Sequence, residues 1–219
     1  MGECIDLLKN YPKTRRNVKE RGATKTNAHR EIARQFGKEF FDGDRKYGYG
    51  GFSYQEKFWS PVVPTFQEFY RLTKSDSVLD VGCAKGFMLY DFQRLIPGLK
   101  VAGVDISEYA IDNALIDIRR CVQVANATCL PYEDDSFDLV ISVNTIHNLE
   151  VGELVRALQE IERVSRRNSF VTVDAYNSDE EKEAMYAWNL TAKTILSVAE
   201  WKTLFWDAGY TGDYYWFTP

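Results

Sequence analysis

The sequence predicts an α/β fold: a doubly wound, mainly parallel sheet with an N-terminal helical cap. Three observations carry that expectation. From Ser77 onward, short β-branched runs alternate with stretches of helical spacing, the pattern of βαβ units. The first run ends at Asp80 and Val81 in a turn holding Gly82 and Gly86, and a helical pattern begins directly after it. Finally, 219 residues with 45% hydrophobic content suffice to bury one substantial core.

Residues 1–26 are expected to be weakly ordered, with Pro12, Gly22 and few apolar residues after Tyr11. Asn27 is placed as the cap of a helix over 28–41, with Ile32, Phe36, Phe40 and Phe41 on one face and Gly43 as its stop. "RKYGYGGFSY" reads as a loop, and 64–72 as a helix turning Phe66, Phe69 and Tyr70 inward. Strands are predicted at 77–81, 100–105, 121–125, 137–143 and 168–174, and helices near 85–96, 107–118 and 151–164. "SVAEWKTLFWDAGY" is an amphipathic helix capped by Ser197 and ended by Gly209. "GDYYWF" follows as the last strand, and an antiparallel course at one side of the sheet is open to it. Residues 1–74 then form a basic arm, helical cap and lid, and 75–219 the core, as one structural unit.

Composition narrows the classes. No apolar run reaches 18 residues and the N-terminus carries Asp6, Lys9 and Asn10, so no signal peptide or membrane span is expected and the location is read as cytoplasmic. Cys4, Cys83, Cys121 and Cys129 form no C-x-x-C pair, and two histidines add little; neither a metal nor a disulfide framework is expected. The net charge of −5 argues against general nucleic-acid binding. Residues 9–38 nevertheless hold ten basic residues against Glu20 and Glu31. That run reads either as a solvated arm or as a seat for a phosphate-bearing acceptor.

The chemistry lies in "SVLDVGCAKGF". Exposed amides at a helix N-terminus after a glycine turn form a ligand site, and Asp105, nineteen residues after Gly86, can accept both hydroxyls of a ribose. A dinucleotide wants a third glycine where Ala84 stands. Asp80 also suits an ammonium group better than a diphosphate. A ligand with a ribose at one end and an amino acid at the other fits both acids, which points to S-adenosylmethionine.

"VLDVGCAKG", "VAGVDIS" and "NATCLPYEDDSFDLVIS", in that order, resemble the class I S-adenosylmethionine-dependent methyltransferases over roughly residues 75–217. The resemblance implies a Rossmann-like core, S-adenosylmethionine as cofactor and S-adenosylhomocysteine as product. It implies that Asp80, Gly82, Ala84 and Gly86 face the methionine half, that Asp105 holds the ribose and that Ile106 covers the adenine. Asn126, with Ala127 beside it, then meets the adenine amino group, where the family usually has Asp; Asn144 is counted with the cofactor site.

The acceptor is expected beyond the fourth and fifth strands, among Asn144, Thr145, His147, Asn148, Asp174, Tyr176 and Asn177. The set suits a small polar acceptor methylated at oxygen or nitrogen. His147 and Tyr176 are the candidate catalytic residues. His147 is read either as a general base, its unperturbed pKa being about 6.5, or as a loop-holding hydrogen-bond partner with alignment alone driving the reaction. Residues 46–52, "KYGYGGF", read as a lid or as an aromatic plug. Other readings are an S-adenosylmethionine enzyme with non-methyl chemistry, an RNA methyltransferase and a non-catalytic binding subunit.

Overall fold

The computed structural model describes residues 2–12, 22, 24–48 and 53–218. Seven strands form one sheet: β1 (Ser77–Val81), β2 (Lys100–Asp105), β3 (Val122–Val124), β4 (Phe137–Val143), β5 (Ser165–Tyr176), β6 (Leu196–Ser197) and β7 (Asp213–Phe217). Their order is β3-β2-β1-β4-β5-β6, with β7 also on β5. All five residues of β1 are buried, as expected of a central strand covered on both faces. β1 pairs with β2 through Val81 and Val104 and with β4 through Asp80 and Ile141. The strand order reverses at β1, where open α/β sheets hold their ligands.

Helices cover both faces. α1 (Asn27–Ala33), α2 (Lys38–Asp42), α3 (Glu56–Trp59) and α4 (Val63–Tyr70) precede the sheet. α5 (Phe87–Leu95), α6 (Glu108–Asp112), α7 (Val151–Val164), α8 (Asp179–Trp188) and α9 (Val198–Asp207) are threaded between strands. α7 spans the predicted residues; Leu154, Ala157, Leu158, Ile161 and Val164 are buried at helical spacing. They share a core with Val140 and Val171 of the sheet and Trp201 and Phe205 of α9. On the other face Leu7, Val62, Phe66 and Tyr70 join Phe92, Leu139 and Phe170. The N-terminal third therefore contributes to the same core as the sheet.

Several expectations are corrected. The helix expected over 28–41 is two helices, because Phe36 turns left-handed (φ 48°) ahead of Gly37. Its cap is Thr26, not Asn27: Thr26 Oγ1 accepts from His29 N and His29 Nδ1 from Thr26 N. The helix expected to 118 stops at Asp112, and Ala114 and Ile118 instead drop into a small cluster with Leu89. α8, capped by Ser178, had no predicted boundaries of its own. β7 runs parallel to β5, since the ten-residue α9 returns the chain to the edge where β5 begins. Ser197 and Gly209 bound α9 as expected, the latter at φ 73°.

The described N-terminal residues are tied down. Ile5 N donates to Tyr214 O and Tyr214 N to Glu3 O, extending the sheet beyond β7, and Thr65 Oγ1 donates to Leu7 O. α4 lies on a face of the sheet, whereas α1 and α2 reach its carboxyl edge. Tyr49 and Phe52 of the proposed lid lie outside the described residues, as do Lys13, Arg15, Arg16, Lys19 and Arg21 of the basic run. Arg30 and Arg34 do not make a solvated arm. Arg30 donates to the carbonyls of Tyr186, Ala187 and Asn189, and Arg34 to that of Ala192. These cations sit at the C-terminus of α8, where helix carbonyls favour positive charge.

Phe66 is fully buried, with its ring edge-on to Phe170 at 5.2 Å and to Phe92 at 6.0 Å. Phe66→Ala is expected to destabilise the protein by about 3–5 kcal/mol, read by denaturant unfolding. Because the cap and sheet share this core, the loss should appear in one transition.

Candidate active site

The turn after β1 is fixed by its neighbours. Gly82 N and Cys83 N both donate to Val104 O, at 2.7 and 3.0 Å, so the chain folds back onto β2. Gly82 (φ 89°) lies so close to Thr145 that a side chain would collide with the threonine's Oγ1. Gly86 (φ 75°), at the start of α5, would put a Cβ 2.6 Å from Ile118 Cγ2. Between them Ala84 is also left-handed, at φ 49°. The turn thus uses the glycine conformation at three positions and supplies a glycine at two.

Asp105, at the end of β2, holds that turn. Its Oδ2 accepts from Ala84 N at 2.8 Å and its Oδ1 from Ser107 N at 2.9 Å. Burial pushes its pKa up, against the lowering effect of backbone donors at Ser107, Ala84 and Ile106. Of a carboxylate's about four lone-pair sites, Ala84 N and Ser107 N take one on each oxygen and Ile106 N is the weakest of the three donors, so the group keeps capacity for a ligand. Asp80 is buried and receives no hydrogen bond or ion pair among the described residues. Burial, then the nearby Asp105 charge, pushes its pKa up to about 8. Such an acid lacks a cation. Ile106 is 54% exposed, leaving an apolar side chain open beside Asp105.

Asn126 differs from expectation. Its Oδ1 accepts from both Thr128 N and Thr128 Oγ1, so the oxygen expected to meet the adenine amino group is engaged. The amide nitrogen, a donor, is what Asn126 presents. Ala127 is half-buried and packs on the core.

The turn after β4 abuts the glycine turn through Thr145 and Gly82. Asn144 is left-handed at φ 51°, held by Thr172: Asn144 N donates to Thr172 Oγ1, which donates back to Asn144 Oδ1. Asn148 Nδ2 reaches Asn144 O at 3.5 Å, while Asn148 Oδ1 is buried without a partner. An acceptor oxygen is therefore open in this turn.

His147 is 3% exposed. Its Nδ1 accepts from Asp174 N at 3.0 Å, which places the ring proton on Nε2, 3.8 Å from Asp174 Oδ2. Burial lowers its pKa, and Asp174 opposes that more weakly. Burial disfavours the charged ring and its Nδ1 lone pair is engaged by the backbone, a geometry that favours the loop-holding alternative over a general base. Asn189, in the polar stretch "WNLTAKT" after a helix that the sequence marks as able to face the acceptor, donates to Asp174 Oδ2 and accepts from Thr191 N and Ala192 N. Trp201 Nε1 donates to Asp174 O. Tyr176 is not brought to this cluster by any hydrogen bond among the described residues; its hydroxyl donates to Glu200 at 3.3 Å.

The sequence also left Lys85 without a purpose. Its ammonium is buried against Asp42 Oδ1 at 2.5 Å, and Asp42 Oδ2 accepts from the hydroxyl of Tyr109 at 2.6 Å. Nothing near Asp42 in the sequence signals that pairing.

Residues 72–209 match a family model described as "Methyltransferase domain". Among curated proteins, the chain is 36% identical to the mouse mitochondrial arginine-hydroxylase NDUFAF5 over 87 residues, 39% of this chain and 24% of that protein. It is 32% identical over 145 residues to an Arabidopsis thaliana tRNA (carboxymethyluridine(34)-5-O)-methyltransferase, 64% of this chain and 33% of that protein. The matched segment thus spans a quarter to a third of these relatives. Among solved structures, YcgJ from Bacillus subtilis superposes with a TM-score of 0.56 at 19% identity, covering 67% of this chain and 66% of YcgJ. That likeness is one of fold.

Two expected outcomes separate the roles of these residues. Gly82→Ala should destabilise the protein by at least about 2 kcal/mol, whereas Ala84→Gly, which relieves a left-handed alanine, should be neutral or stabilising by up to about 1 kcal/mol. Thermal and denaturant unfolding read both. His147→Ala should cost about 1–3 kcal/mol by leaving Asp174 N unpaired while cofactor affinity, read by calorimetry, stays unchanged.

Proposed function

Since this chain belongs to the methyltransferase-domain family, whose class I members use S-adenosylmethionine, we propose that it transfers a methyl group to a small polar acceptor at oxygen or nitrogen. Bound S-adenosylmethionine supplies an electrophilic methyl on a positively charged sulfur. The observation that carries the cofactor half of this reading is Asp80, a buried acid without a partner among the described residues, under a glycine turn at the sheet's switch point. The α-ammonium of an amino-acid moiety is the cation it lacks. Asp105 has lone pairs left for ribose hydroxyls, and the exposed Ile106 offers an apolar face to a base. A diphosphate would bring negative charge to two acids.

For the acceptor, support comes from Asn148 Oδ1, a buried hydrogen-bond acceptor left unsatisfied among the described residues, in the turn that abuts Gly82. It suits a nucleophile bearing an N–H or O–H. With the His147 lone pair engaged, alignment is the main contribution assigned to the protein, and orientation alone is worth about 7–11 kcal/mol of barrier. RNA methylation is the second reading, favoured by the Arabidopsis relative and opposed by the net charge of −5. Labelled cofactor offered to small-molecule and RNA pools distinguishes them. A product one methyl heavier, with S-adenosylhomocysteine formed, is the expected result, and label found only in RNA would replace the first reading by the second.

Calorimetry tests the cofactor half directly. S-adenosylmethionine and S-adenosylhomocysteine should bind and NAD should not. Asp105→Ala should weaken binding by about tenfold to a hundredfold, the value of a charge-assisted hydrogen bond of ~1.5–3 kcal/mol. Asp80 holds its proton in the folded state up to about pH 8, against 3.8 ordinarily. Ligand-free stability should therefore fall as pH rises between those values, and binding a cation at pH 7 should release a proton. That release appears as a dependence of heat on buffer ionisation, lost in Asp80→Asn.

A further inference from the structure

The two loops that form the cofactor pocket are joined twice, once directly and once through the N-terminal cap. Directly, Asp105 ties Ala84 N to Ser107 N. Through the cap, Ser107 Oγ donates to Phe36 O at 2.5 Å, and Asp42, six residues further on, takes Lys85 and Tyr109 on its two oxygens. Lys85 belongs to the turn after β1, and Tyr109 to α6 after β2. The Asp42 carboxylate thus bridges the same two loops that Asp105 bridges, from the outside. The Phe41 ring, stacked on Tyr109 with centroids 6.4 Å apart, packs the same junction.

We infer that Asp42 is a positioning residue for the cofactor: through Lys85 and Tyr109 it fixes the spacing of the glycine turn and the ribose-side loop, so that docking of the 36–42 segment and cofactor binding reinforce each other. The physical ground is burial. Lys85 is 5% exposed, and an ammonium at such a site costs free energy unless it is paired. Its carboxylate partner is carried by the cap. A cap displaced from the pocket would draw the Asp42 carboxylate away from that ammonium and loosen the turn that carries Ala84, whose N–H Asp105 holds. Lys85 therefore serves the pocket without touching ligand, which accounts for a lysine beside Gly86 in a site that receives no phosphate. This inference rests on the cofactor reading above.

The test uses the intact protein with S-adenosylhomocysteine. Asp42→Asn should raise its Kd by about fivefold to twentyfold, and Asp42→Glu, which keeps the carboxylate, should recover most of that loss. Tyr109→Phe, which removes one hydroxyl, should raise Kd by about twofold to fivefold and covers the case of an unfolded Asp42→Asn. In wild type, ligand should slow hydrogen exchange across residues 36–42 as well as 82–86; in Asp42→Asn the protection of 36–42 should be lost while 82–86 remain protected. A folded Asp42→Asn with wild-type Kd, or ligand that leaves 36–42 unprotected in wild type, overturns the inference. Failure of the wild type to bind S-adenosylhomocysteine at all would instead overturn the cofactor reading.

Discussion

Parallel neighbouring strands deliver their next residues to the same edge of the sheet, and at that edge β1 and β2 must turn apart without leaving their amides bare. Asp105 meets this constraint. Its two oxygens take one N–H from each departing loop, so a single carboxylate closes the backbone accounting of both. Much of the surrounding geometry follows. Ala84 is held left-handed to present its N–H, Gly82 turns where Thr145 leaves no room for a side chain, and the turn after β4 rests on that glycine. The spacing of three strand exits thus depends on one acid.

The same arrangement concentrates negative charge. Asp80 and Asp105 lie at the ends of adjacent strands; burial raises the cost of ionising both, and the Asp105 charge adds to that cost at Asp80. A stable core would not place an unpartnered carboxylate there; the strain is tolerated where a ligand relieves it. On the far side His147, Asp174, Asn189 and Trp201 are joined in a buried hydrogen-bond network, with Asn148 Oδ1 unsatisfied beside it. The charged deficit lies at Asp80, whereas this side holds neutral donors and acceptors tied mainly to the backbone.

The core strands were legible because β-branched runs and glycine turns are local signals, and the whole of α7 followed from its apolar spacing. The positions of Asp80, Gly82 and Gly86 about the turn after β1, and of Asp105 at the end of β2, followed from the same local signals. What the sequence concealed was long-range. The break at Phe36 serves a hydrogen bond from Ser107, 71 positions away; no window around Phe36 contains it. Arg30 looked like solvated charge and is the clasp on α8, about 157 positions on. Asn126 looked free to receive an adenine amino group, yet Thr128 two residues later occupies its oxygen. His147 stood open between a base and a loop-holding partner because rarity and position were visible, whereas the Asp174 amide on its Nδ1 was not.

The N-terminal residues that extend the sheet beside β7 have a consequence for how the molecule is assembled. Glu3 N reaches Asp213 Oδ1 across 210 positions of chain, and Tyr70 of α4 reaches the other oxygen of the same carboxylate. During synthesis Glu3 emerges about 210 positions ahead of its partner and must wait for it. Closing a loop of that size costs little more entropy than closing one half as long, but contacts of such separation slow the search for the native state. The edge of β7 is therefore covered only when two segments far apart in the chain meet. Until then its unpaired backbone offers a template to other chains, so the interval before closure is when aggregation competes with folding.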